Sequence, residues 1–145
     1  MARTSSDSRT GERVTRTDAQ WRADLTREQY EVLRRGGTER AGTGQYAYSK
    51  NPGTYRCAAC GAELFDSGTK YDSGTGWPSF TQPLSEDAVE HVKERGFLGA
   101  GQTEVRCRSC ASHLGHVFPD GPRPTGHRYC MNSVALTLES AHGSA

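Results

Sequence analysis

Two Cys-x-x-Cys turns, CAAC at residues 57–60 and CRSC at 107–110, constrain this chain more than any other feature. A tight turn with two intervening residues presents two thiolates to one ion, and zinc takes four ligands in a tetrahedron. Two such turns close one site, with Cys57, Cys60, Cys107 and Cys110 as the zinc ligands. The competing reading, a redox dithiol, needs a pair that opens a helix, and neither following stretch reads as helical. A closed four-sulfur site leaves no position for substrate, so its role is to fasten distant segments together. The pairs also echo one another. CAACGAEL and CRSCASHL share the pattern Cys-x-x-Cys-x-x-x-Leu, which predicts two similar turns over small apolar supports, Leu64 and Leu114.

The remainder has to be built around that clasp from short pieces. Only 33% of the 145 residues are apolar and 17 are Gly, which predicts one mainly β domain with many turns. A short helix is expected over LTREQYEVLRRGG. Thr26 is its N-cap, Gln29 completes a capping box, Leu25 and Tyr30 form a hydrophobic staple, and Gly36 or Gly37 stops it. Beyond Gly44, turn signals recur too often for another helix, and GTYRC, AELF, TEVRC and YCMNSVALTL read as strands. If the last runs regularly from Cys130, then Cys130, Asn132, Val134, Leu136 and Leu138 share one face. Residues 18–140 are expected to form the domain, between a disordered tail at 1–17 and a short tail at 141–145.

With 18 basic against 17 acidic side chains, the chain has no broad electrostatic footprint for nucleic acid or an anionic membrane. No apolar run is long enough to span a bilayer, and MARTSSDSRTGERVTRT lacks the apolar stretch of a secretory signal. The expectation is a soluble, cytoplasmic monomer. In that reducing setting Cys130, the fifth cysteine, is a free thiol.

A lone cysteine is commonly a small buried hydrophobe. The neighbours of Cys130 point elsewhere. Arg128 and Asn132 lie two residues to either side, where a cation lowers a thiol's pKa and an amide holds a water or oxygen. Upstream, HLGH supplies His113 and His116, either as solvated or metal-completing residues or as acid/base groups; four cysteines already suffice for zinc, which favours the latter. Together these residues make a nucleophile site of the Cys/His type. Trp77, between Gly76 and Pro78 in YDSGTGWPSF, serves either core packing or, with Phe80, an apolar slot for a small substrate group.

Through LFDSGTKYDSGTGWPSF, TEVRCRSC, HLGHVFPDGP and RYCMNS, residues from about 20 to 138, the chain resembles the B-type methionine sulfoxide reductases, which reduce the R epimer. The resemblance implies two small antiparallel sheets in a barrel-like, β-rich fold with short N-terminal helices and a structural zinc. It implies that Cys130 attacks the sulfoxide sulfur, that His113 and His116 protonate the departing oxygen, and that Asn132 positions water. Trp77 would receive the S-methyl group, and Asp120 would orient Arg128. Two departures stand out. Thr75 occupies the place where many relatives carry a resolving cysteine, so an external thiol or thioredoxin-like protein would have to recycle Cys130. Gln102, in FLGAGQTEV, replaces an Arg usual in the family. The rival readings are a non-catalytic zinc-pinned β binding module, which has no reason to assemble this residue set, and a disulfide oxidoreductase, which needs a partner thiol.

Overall fold

The computed structural model describes residues 13–93 and 102–141. Two antiparallel sheets carry the fold. The smaller has the order β2-β1-β9, from β1 (Gly53–Cys57), β2 (Glu63–Asp66) and β9 (Leu136–Ser140). The larger has the order β3-β4-β8-β7-β6-β5, from β3 (Lys70–Tyr71), β4 (Ser79–Phe80), β5 (Val89–Lys93), β6 (Thr103–Cys107), β7 (His113–Phe118) and β8 (Arg128–Met131). The expectation of two small antiparallel sheets holds, but they do not close into a barrel: each keeps two edge strands. Between them lies an aromatic core in which the Phe80 ring stacks on Phe65 at 4.4 Å and meets Tyr55 edge-on at 5.1 Å.

The helix from Thr26 forms as α2 (Arg27–Leu33), with both halves of the Thr26–Gln29 capping box made. Thr17 and Gln20 make the same box one element earlier and start α1 (Asp18–Asp24), a helix the sequence reading passes over. Part of the segment assigned to an N-terminal tail is packed: Val14 is buried and its N–H bonds the Ser109 carbonyl in the second cysteine turn. The first 12 residues of that tail, and residues 142–145, lie outside the described residues. Among the described residues no helix is long and apolar enough to cross a membrane.

The two cysteine turns are alike in backbone detail. Cys57 N–H bonds Ala62 O and Gly61 N–H bonds Cys57 O; Cys107 with Ser112 and Ala111 with Cys107 repeat the pair. Gly61 and Ala111 occupy the same left-handed position, at φ 84° and 62°. Each turn feeds a strand with one extra residue, at Leu64 between Phe65 and Glu63 and at Leu114 between Gly115 and His113. The stretch YCMNSVALTL does not run as one strand. It leaves the large sheet after Met131, turns through a short 3-10 segment at Ser133–Ala135, and enters the small sheet as β9. That turn splits the expected common face and packs against α2.

Candidate active site

The site is a row across the larger sheet. Directly paired residues on antiparallel strands present side chains on one face, and the register pairs Glu104 with His116, His116 with Cys130, Cys130 with Ser79 and Ser79 with Tyr71. His113 precedes His116 by three residues, which regular pleating would put on the opposite face. The extra residue at Leu114 cancels that half-turn. The two imidazoles meet edge to face, with ring centroids 5.4 Å apart. Gly115 is a point of close approach: a Cβ there would lie 2.1 Å from the Cys130 carbonyl oxygen.

Cys130 is half-buried. Burial pushes its thiol up from the ordinary range, while the Arg128 charge and a hydrogen bond from Thr75 pull it down. Arg128, two residues along β8 on the same face, is held on two sides. Its Nε and second terminal nitrogen donate to Asp120 at 2.9 and 3.2 Å, and its guanidinium lies 4.3 Å from the Phe118 ring centroid. The Asp120 carboxyl is held below its usual range by those bonds. Thr75 belongs to a line of hydroxyls, with Thr75 to Ser73 at 2.8 Å and Ser73 to Ser79 at 2.7 Å.

Trp77 is half-buried, and its indole N–H donates to the Glu39 carbonyl at 3.0 Å. The loop carrying it is pressed on the Glu39–Gly42 segment at Gly76, whose φ of 93° and 2.9 Å clearance to Ala41 and Gly42 admit no side chain. Phe80 does not line a slot with Trp77. It is fully buried between Phe65 and Tyr55, because its strand turns it to the face opposite Ser79. Asn132 is also buried, and both ends of its amide are engaged: Oδ1 accepts from Glu39 N–H at 2.9 Å and Nδ2 donates to Leu114 O at 3.1 Å. It ties the Glu39 loop to β7 beside the thiol.

Two acids missed in the sequence complete the surroundings. Glu104 bonds His113, and Glu39 caps Val134 N–H at 3.0 Å while its charge opposes ionisation of Cys130. Neither carries a motif: Glu104 is buried by strand pairing and Glu39 by the loop that folds over the Ser133–Ala135 turn. Gln102 is exposed next to β6, and the FLGAG that precedes it lies outside the described residues. A cavity of about 650 Å³ opens on the other face of β8, lined by His91, His127 and Tyr129, and includes none of these side chains.

The four remaining sulfurs form one buried cluster, all within 4.8 Å of one another. Cys57 and Cys110 are 3.7 Å apart, Cys60 and Cys107 3.6 Å. Sulfurs bound tetrahedrally at about 2.3 Å stand about 3.8 Å from each other, so the cluster fits one metal ion and no disulfide. Hydrogen bonding to Cys107, Cys110 and Cys60, then burial, push the Cys57 thiol well above its usual range, a penalty that a bound cation reverses.

Fold and site define a β protein clasped by four cysteines, with a fifth placed among imidazoles and a guanidinium. Residues 25–140 match the SelR domain, and the chain belongs to that family. It is 54% identical to the peptide methionine sulfoxide reductase MsrB of Methylibium petroleiphilum, covering 88% of this chain and 91% of that one. It is 56% identical to the MsrB of Leifsonia xyli subsp. xyli (87% and 91% covered) and 58% to that of Thiobacillus denitrificans (85% and 92%).

Proposed function

We propose that this chain reduces methionine-R-sulfoxide, protein-bound or free, to methionine with Cys130 as nucleophile. The observation that carries the reading is the cross-strand row that sets His116 directly opposite Cys130 with His113 against it. Cys130, as thiolate, attacks the electrophilic sulfoxide sulfur. The substrate S–O bond breaks as its oxygen gains protons, which the two histidines supply. The oxygen departs as water and leaves a sulfur–sulfur bond between Cys130 and the substrate; a water then attacks the Cys130 sulfur as that bond breaks, so that methionine leaves, reduced by two electrons, and a sulfenic acid remains. Trp77 is read as the contact for the S-methyl group, Arg128 as the stabiliser of the thiolate, Asp120 as the group that orients Arg128, and Asn132 as a support for the loops around the thiol.

Recycling needs two thiol equivalents from outside. One condenses with the sulfenic acid to a mixed disulfide and releases water; the second frees Cys130. Thr75 and the four clustered cysteines support this, since no other thiol is left to resolve it. A small-molecule thiol or a thioredoxin-like protein in a reducing cytoplasm fits, acting on a monomer. Zinc is the ion we assign to Cys57, Cys60, Cys107 and Cys110, where it supplies structural cross-linking and no chemistry.

The test is consumption of the separated R and S epimers with a small dithiol as reductant. The R epimer alone is expected to be consumed, and Cys130→Ser to be inactive while keeping its metal and fold. Without reductant, stoichiometric R substrate should leave a trappable sulfenic acid on Cys130 and no intramolecular disulfide. A metal-loaded wild type that reduces neither epimer would leave the binding-module reading in its place.

A further inference from the structure

Strand β6 carries a carboxyl that neither the metal site nor the chemistry above uses. Glu104 is only 7% exposed, and a buried carboxylate is costly unless its oxygens are occupied. Both are: Oε1 accepts from Arg106 Nε at 2.9 Å, and Oε2 lies 2.6 Å from His113 Nδ1. The imidazole held in this way is itself 5% exposed, and its other nitrogen, Nε2, has no hydrogen-bond partner among the described residues. A buried nitrogen left without a partner forfeits its hydration with nothing in return. Native exceptions of this kind mark a catalytic group or a bound water, and this one lies in the ring that meets His116 beside Cys130.

We propose that Glu104, steadied by Arg106, is a positioning residue: it accepts the Nδ1 proton of His113, fixes that tautomer and ring orientation, and leaves Nε2 as the nitrogen that exchanges a proton with the substrate oxygen or its water. A carboxylate behind an imidazole sets in this way which nitrogen faces the chemistry. The catalytic half of the proposal rests on the reductase reading above; the ring assignment does not. The bland alternative is that the pair only ties β6 to β7, in which case changing the carboxylate alters stability and leaves the methionine-forming step alone.

The experiment uses the zinc-loaded full chain. Nitrogen-15 NMR of the wild type should find His113 protonated at Nδ1, and a neutral ring protonated at Nε2 overturns the assignment whatever any variant does. In single turnovers without reductant, Glu104→Gln should slow methionine release about 10–100-fold, with the half-saturating substrate concentration changed less than about 3-fold. In a His113→Ala background the same change should add less than about 2-fold, because one residue acts through the other. Glu104→Asp, which keeps the charge, should recover part of the rate. Unchanged methionine release in Glu104→Gln, or losses that multiply in the double variant, overturn the proposal. A wild type that reduces neither epimer removes the reductase reading instead, and the NMR result still decides the ring.

Discussion

At the scale of single residues, the thiol of Cys130 is a contest between burial and two neighbours. Burial alone favours the neutral, unreactive form, and Arg128 and Thr75 work against it. Removing a cation that favours the thiolate must raise the thiol's pKa further. Arg128→Met should therefore shift the pH profile of Cys130 alkylation to higher pH and slow alkylation at neutral pH. Thr75→Val should move it the same way by losing a donor. Asp120→Asn should move it less, since Arg128 keeps its charge and its stacking on Phe118. An Arg128→Met profile that overlays the wild type would mean that the guanidinium does not set the nucleophile.

The elements explain how residues scattered along the chain come to share one site. The extra residue at Leu114 puts His113 with His116, and Gly115 lets β7 and β8 approach where His116 faces Cys130. A methyl group at 115 collides with backbone, not with a side-chain tip, so relief requires the strands to part. Gly115→Ala is expected to cost about 3 kcal/mol, the upper end of overpacking, and to lower turnover more than Cys130 alkylation. A variant as stable and active as wild type would contradict the register. The mirror case is Ala111, whose φ of 62° is glycine's in the first turn. Ala111→Gly should stabilise by up to about 1 kcal/mol in chemical denaturation. The Cys-x-x-Cys-x-x-x-Leu echo made both turns legible, and the Thr26 box made α2 legible, because each signal sits within a few residues. The bulges were not, because the sequence does not print which residue lacks a partner. Cys130 and the histidines showed themselves by residue type. Glu104 and Phe80 were misread or missed because burial is decided by strand pairing far along the chain.

At the scale of the molecule, the four-cysteine clasp and the candidate site are one mechanical unit. Cys107 ends β6, three residues after Glu104, and Cys110 precedes β7 by a turn that leads directly to His113. The first turn brings in the small sheet through Cys57, the last residue of β1. The N-terminal segment is fastened there as well: Arg34, which ends α2, donates to Cys110 O at 2.8 Å and Ser112 Oγ at 3.0 Å while lying 4.6 Å from the Trp21 ring centroid. Without the ion, four buried thiols face one another and both turns lose the bond that joins the sheets. Structural zinc contributes about 10–16 kcal/mol, as large as the whole stability of a typical domain, about 5–15 kcal/mol. Chelation, or Cys57→Ser, is therefore expected to release one metal ion per chain, to lower the thermal midpoint by on the order of 20 °C or more, and to abolish turnover although Cys130 is untouched. Restoring zinc after chelation should restore the midpoint and the activity together. Were a metal-free chain to keep its midpoint while losing only activity, the cluster would have to take part in the chemistry, and the assignment of a purely structural clasp would fall.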